Sequence, residues 1–197
     1  MNLVWLEELV EAFSTLPGIG KKTARRLALF VIESDSEVGS RLAKAITEAV
    51  SHIGRCPVCG LYAPSGENCH ICNDFNRDKS IICVVSRPQD VLAIENSHSF
   101  SGFYHILGGN ISPLDGIGPQ DLRISELLSR IGDGKVNELI LALDNTVDGD
   151  TTAHYISSII SSDVKVSRLA AGLPFGGELE YTDGVTISRA FRFRTSF

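Results

Sequence analysis

Four cysteines stand in two C-x2-C pairs, Cys56-Pro57-Val58-Cys59 and Cys69-His70-Ile71-Cys72. That spacing brings four thiolates to one tetrahedral centre while the intervening loop closes over it, the donor set of a structural Zn²⁺ site. Such a centre has no open coordination position, so its work is folding and not Lewis-acid chemistry. His70 neighbours a ligand and is expected to be exposed or to stand just outside the site. The fifth cysteine, Cys83, lies inside the apolar run Ile81 to Val85 and reads as a small buried hydrophobe. An odd cysteine count in a chain of this size argues against a disulfide framework.

A second group able to do chemistry follows Leu16-Pro17-Gly18-Ile19-Gly20. Gly18 and Gly20 permit a tight turn and remove the side chains that would hold another backbone at a distance. The turn opens into a helix whose free N–H groups and dipole suit a phosphate. Lys21, Lys22, Arg25 and Arg26 come at once, and no acid occurs between Glu11 and Glu33. At i, i+4 spacing they form two cationic pairs on the helix surface. A solvated basic helix is the plain alternative, and the glycine hairpin tips the reading toward a grip on the sugar-phosphate backbone, blind to base sequence.

The third group is acidic: Asp144, Asp148 and Asp150, after the apolar run Leu139 to Leu143. Carboxylates at the carboxyl end of a core strand can hold Mg²⁺ by one or two oxygens plus waters. Asp and Thr here can equally make a turn and cap a helix.

The elements that must position these groups follow from periodicity. Leu3, Leu6, Leu9, Val10 and Phe13 predict a first amphipathic helix. A second runs from about Lys21 to Ile32 with Ala24, Leu27, Ala28 and Val31 on one face, and a third, from about Glu37 to Ile53, is expected to bury Val38, Leu42, Ile46 and Val50. From Cys56 to Asn76 the chain is too rich in Cys, Pro, Gly and Asn to build a core of its own. Beyond Lys79, apolar runs at Ile81–Val85, Phe103–Leu107, Leu139–Leu143 and Val164–Leu169 alternate with helical stretches at about Pro88–Asn96, Asp121–Ile131 and Thr151–Ser161. That alternation predicts an α/β domain on a parallel sheet covered on both faces. Residues 184–197 alternate Arg189, Arg192 and Arg194 with Phe191, Phe193 and Phe197, and read as a strand with one aromatic and one basic face, packed on its own sheet or against another subunit.

Composition narrows the class. With 43% hydrophobic and 21% charged residues the chain is globular. A net charge of −6 confines any nucleic-acid contact to a local basic patch. No run is long enough to span a membrane, and the acidic start MNLVWLEELVEAF resembles neither a secretory signal nor a transit peptide, so a cytoplasmic address is expected.

These motifs carry a resemblance. The hairpin is similar to the helix-hairpin-helix of DNA-repair proteins, and Asp144 to Thr152 looks like the second acidic motif of Toprim domains. The chain from Leu16 to about Tyr181 resembles the RecR family in the hairpin, the four cysteines, Pro88-Gln89-Asp90-Val91, Tyr104 to Gly109, Ser112 to Gly116, and Gly172 to Tyr181. The resemblance implies a helix-hairpin-helix module over 1–54, a four-cysteine zinc finger over 55–77, a Toprim domain over 78–171, and a C-terminal arm over 172–197 with a Walker B-like motif and an oligomerisation strand. It implies binding to duplex and single-stranded DNA, dimers or tetrameric rings, and work with RecO and sometimes RecF to load RecA at single-stranded gaps. Asp144, Asp148 and Asp150 would then face a basic patch on RecO.

The sequence departs from catalytic Toprim domains at two places. Their general acid–base glutamate at the end of the first strand is here Ser86, which cannot do a carboxylate's proton work at neutral pH. Their paired aspartates are half retained, since Thr146 stands two residues after Asp144, which makes Mg²⁺ binding doubtful. Tyr62, Tyr104, Tyr155 and Tyr181 lack a nucleophile's setting. A non-enzymatic protein is expected, against two alternatives: a small Mg²⁺-dependent nuclease or primase, and a zinc-ribbon module whose hairpin binds protein.

Overall fold

Apolar residues at helical spacing fold the start of the chain into three helices: α1, Val4–Ser14; α2, Lys21–Glu33; and α3, Ser36–His52. The computed structural model describes residues 3–170, 172–173 and 176–194. The chain divides into two compact units, Met1–Ile53 and Gly54–Phe197.

In the first unit α1 packs on α2, and among the described residues only the small side chains of Ala24 and Ala28 are fully buried. Asp35 caps α3 by accepting from the Glu37 N–H. The expected burial of the α3 stripe is corrected: Val38 is half-buried, but Leu42, Ile46 and Val50 are 40%, 55% and 79% exposed. The periodicity marks a real apolar stripe, but three short helices offer no surface to cover it.

In the second unit the apolar runs form β3, Asp78–Val85; β4, Gly102–Ile106; β5, Glu138–Ala142; and β6, Lys165–Arg168. They make one parallel sheet in the order β4-β3-β5-β6. The crossovers are α4, Pro88–Asn96; α5, Ile124–Gly132; and α6, Val147–Ile159. Ahead of them β1, Ile53–Arg55, pairs with β2, Tyr62–Pro64, a short ribbon that periodicity does not signal.

Alternating residues of the sheet feed two cores. Ile82, Val84, Phe103, Leu139 and Leu141 pack with Leu127 and Ile131 of α5 and Ala153 and Ile156 of α6. Cys83, Val85, Tyr104 and Ile106 pack with Val91 of α4 and with Cys56, Cys59, Leu61, Ala63, Cys69 and Ile71 of the cysteine segment. That segment has no core of its own, and it gains one by burying Leu61 and Ile71 on the sheet, each burial worth about 1.5–3 kcal/mol. It also closes the open edge of β4, where the Ile106 N–H donates to the Cys59 carbonyl at 2.8 Å.

The predicted C-terminal strand is also corrected. Residues Gly184–Arg192 form a helix, α7, whose N-cap Asp183 accepts from the Val185 and Thr186 N–H groups. The cap nucleates helical hydrogen bonding, and helical spacing brings Thr186, Ile187, Arg189 and Ala190 into half-buried positions. Ala171, Pro174, Phe175 and Phe197 lie outside the described residues. Among the described residues no helix is long and apolar enough to cross a membrane.

Candidate functional site: a phosphate grip, a metal centre and an acidic pocket

Gly18 adopts φ +80°, a left-handed conformation that a side chain would strain. It lets the Ile19 N–H close the turn on the Leu16 carbonyl at 3.0 Å, and Gly20 becomes the N-cap of α2. No side chain caps this N-terminus, and a Cβ at Gly18 or Gly20 would meet open space. The first turn of α2 therefore presents backbone N–H groups to whatever approaches. Lys21, Lys22, Arg25 and Arg26 are all exposed, and among the described residues none is in a salt bridge. Free cations beside uncapped amides on a glycine turn can hold phosphate oxygens without reading bases.

The four cysteines converge, their sulfurs all within 4.8 Å of one another and those of Cys59 and Cys69 at 3.4 Å. A tetrahedron with bonds of about 2.3 Å has edges of about 3.8 Å, so the cluster matches a metal tetrathiolate. Backbone N–H groups of Leu61 and Cys72 point at the Cys59 and Cys69 sulfurs at 3.5 and 3.4 Å, as thiolate acceptors require. Crowding divides the thiols: hydrogen bonds from Cys59 and Cys72 pull Cys69 down to about 2, whereas sharing with Cys69 pushes Cys59 up to about 12 and contact with Cys59 pushes Cys72 up. Neighbouring thiolates need a cation between them, so the donor set fits a thiophilic divalent ion. Cys83 is apart, 2% exposed on β3, its thiol pushed up to about 12 by burial alone. His70 is exposed and takes no part in the cluster.

One arginine ties this segment to the start of α5, and a second ties α5 to β4. Arg123 donates to the Pro57 carbonyl at 3.0 Å and pairs with Glu126 at 3.3 Å. Arg130, on α5, donates to the Tyr104 carbonyl at 2.7 Å and to Nδ1 of His105 at 3.3 Å. His105 is fully buried, with Nε2 donating to the Arg123 carbonyl at 2.7 Å, and burial holds its ring neutral with a pKa of about 4.

The acidic motif begins where β5 ends. Thr146, which stands where catalytic Toprim domains carry the second aspartate, is the N-cap of α6 and accepts from the Gly149 N–H at 3.1 Å. Gly149 lies so close to the Asp144 carbonyl that a Cβ there would collide with it. Asp148, in the first turn, is half-buried and enters no salt bridge among the described residues. Asp144 and Asp150 are half-buried and already engaged. Asp144 pairs with Arg87 at 3.3 Å and accepts from Asn110 at 2.8 Å. Asp150 pairs with Arg168 at 2.5 Å and Arg189 at 2.6 Å, and Arg189 also donates to Asn145. Ser86, at the end of β3 and fully buried, donates to Asn110 at 2.8 Å, so the catalytic acid's position is filled by a neutral hydroxyl tied indirectly to Asp144. Guanidinium groups occupy the carboxylate oxygens a Mg²⁺ ion needs, and these residues do not fit that ion.

Sequence reasoning did not find Arg87, Asn110, Arg123, Arg130 or Arg168, and it placed Arg189 on a basic strand face instead of on Asp150. Each acts across the fold on a residue far away in the chain, and no local spacing signals it.

Comparison with known proteins agrees with this geometry. Residues 6–50 match the family described as RecR, helix-hairpin-helix; residues 80–170 match the Toprim domain; and residues 172–195 match RecR, C-terminal. A recombination protein RecR of Streptomyces coelicolor is 48% identical over 190 residues, covering 96% of this chain and 95% of that protein. The chain belongs to the RecR family. Recombination proteins RecR of Paenarthrobacter aurescens and Tropheryma whipplei are 47% and 45% identical, each over 96% of this chain. As a RecR family member it joins a helix-hairpin-helix, a four-cysteine cluster able to hold a metal ion, and a Toprim domain.

Proposed function

We propose that this RecR family protein is a non-enzymatic, DNA-binding mediator of recombinational repair. The observation that carries the reading is the α2 N-terminus, uncapped, on a glycine turn, and flanked by four exposed cations with no acid among them. Residues 1–54 grip the phosphate backbone of duplex or single-stranded DNA through Gly18, Gly20, Lys21, Lys22, Arg25 and Arg26. Residues 55–77 hold one structural Zn²⁺ on Cys56, Cys59, Cys69 and Cys72, and 78–171 with the arm over 172–197 carry partner surfaces. The ion adds folding energy to a segment whose other anchor is the burial of Leu61 and Ile71 on the sheet.

The absence of turnover rests on Ser86 and on the arginine-paired state of Asp144 and Asp150. The acidic face of Asp144, Asp148 and Asp150 meets a basic partner, RecO, with RecF in some assemblies, and RecA loading at gaps follows. Asp148 is the carboxylate of the three that no arginine pairs among the described residues, so it leads that contact.

Self-association is part of the same proposal. Trp5, Phe30, Ile46 and Val50 are 82%, 61%, 55% and 79% exposed, and an apolar groove of about 450 Å³ lined by Phe13, Leu27, Val31 and Leu42 lies open in the first unit. A dimer or tetramer covers such a surface.

Native mass spectrometry with and without DNA tests the reading, because it reports metal per chain, subunit count and DNA occupancy together. One zinc per chain, an oligomer and a DNA-bound species are expected. A metal-free monomer that ignores DNA would overturn it.

A further inference from the structure

Arg130 presents a charge problem that its own contacts leave unsolved. The side chain is half-buried, yet among the described residues it enters no salt bridge. Its hydrogen bonds go to the Tyr104 carbonyl and the neutral His105 ring, which orient it without balancing its charge. A guanidinium withdrawn from water needs a counter-charge. Arg130 and Cys72, the least buried of the four cysteines, line one cavity of about 240 Å³. A divalent ion on four thiolates carries a net charge of −2, next to a cation that lacks a partner.

We propose that Arg130 is the charge partner of the four-cysteine metal centre, a positioning residue on α5 that stabilises the dianionic tetrathiolate from outside its ligand shell. Lys79, Lys135 and the carboxylate Asp133 line the same cavity but are exposed, so water screens them, and Asp133 enters no salt bridge with Arg130. Arg123 is engaged by Glu126 and the Pro57 carbonyl. Arg130 therefore carries the compensation and ties the edge of β4, α5 and the metal centre into one unit. Metal occupancy and α5 stability are coupled through it.

The inference rests on the zinc reading above, and one experiment separates the two. Zinc is titrated against a chromophoric chelator in the full-length protein and in its Arg130→Gln and Arg130→Lys variants. The expected result is one tightly held zinc in the unsubstituted protein, at least about tenfold weaker affinity in Arg130→Gln, and most of that loss restored by Arg130→Lys. A chain that takes up no zinc defeats the zinc reading itself. Zinc held equally by all three defeats the role of Arg130, as does an equal loss in both variants, which marks a role in shape or hydrogen bonding. If Arg130→Gln does not fold, hydrogen exchange on the unsubstituted protein decides. Stripping zinc must then expose amides of Ile124–Gly132 while those of Val147–Ile159 stay protected, and unchanged protection in Ile124–Gly132 overturns the coupling.

Discussion

Arg189 of α7 donates to Asp150 of α6 at 2.6 Å, closing from the C-terminal segment a carboxylate that Arg168 of β6 already holds at 2.5 Å. The pair is partly shielded, with side chains 20% and 33% exposed. Replacing Arg189 by Ala is expected to release α7, raising amide exchange over 184–192 and lowering stability by about 1 kcal/mol. Unchanged exchange across that helix contradicts the assignment of Arg189 as its anchor.

The same arginines bear on catalysis. With Asp144 held by Arg87 and Asn110, and Ser86 in the catalytic acid's place, supercoiled DNA incubated with Mg²⁺ or Mn²⁺ is expected to stay intact. Metal-dependent nicking that disappears in Asp144→Ala would establish the enzymatic alternative.

Metal uptake must displace protons, because Cys59 and Cys72 have pKa values raised far above neutrality in the metal-free cluster. Zinc affinity is therefore expected to rise with pH between about 6 and 8, with proton release measurable by calorimetry in buffers of different ionisation enthalpy. Chelation should expose amides over 56–76, while the β3–β5 pairing persists. Affinity independent of pH contradicts thiol ligation.

His105 supplies a separate pH dependence. Burial first, then the Arg130 and Arg123 charges, lower its pKa from 6.5 to about 4. Below pH 6.5 the unfolded chain takes up a proton that the folded one refuses. The stability this neutral ring contributes is full above pH 6.5 and declines as pH falls toward 4, by at most about 1.4 kcal/mol per unit. Denaturant titrations of His105→Gln should give a slope between pH 6.5 and 4 shallower by up to one proton, and an identical slope argues against a buried neutral ring.

What sequence disclosed depends on how local the signal is. The helix expected at about Pro88–Asn96 forms over those residues, where Pro88 starts it and Asp90 bonds back to the Arg87 N–H. The strands emerge from unbroken apolar runs, and the cysteine cluster from spacing alone. The α3 stripe is misjudged because periodicity reports an apolar face and not what covers it. Residues 184–192 are misread because alternating Arg and Phe imitate a strand, whereas the Asp183 cap starts a helix. The service of Thr146 as N-cap follows from the helix start, which lies four residues earlier than the predicted Thr151. The arginines that close the acidic pocket come from three other elements and leave no trace in the motif itself.

The central claim is a sequence-blind grip on phosphate by the α2 N-terminus, and fluorescence anisotropy with labelled DNA across a salt series tests it most directly. If Lys21, Lys22, Arg25 and Arg26 all reach phosphates, log affinity against log salt should fall with a slope of about −3 to −4 per hairpin. Lys22→Ala with Arg26→Ala should weaken binding to unrelated sequences alike and flatten that slope by about 2. Affinity and slope unchanged by the double substitution at about 0.1 M salt would contradict the account.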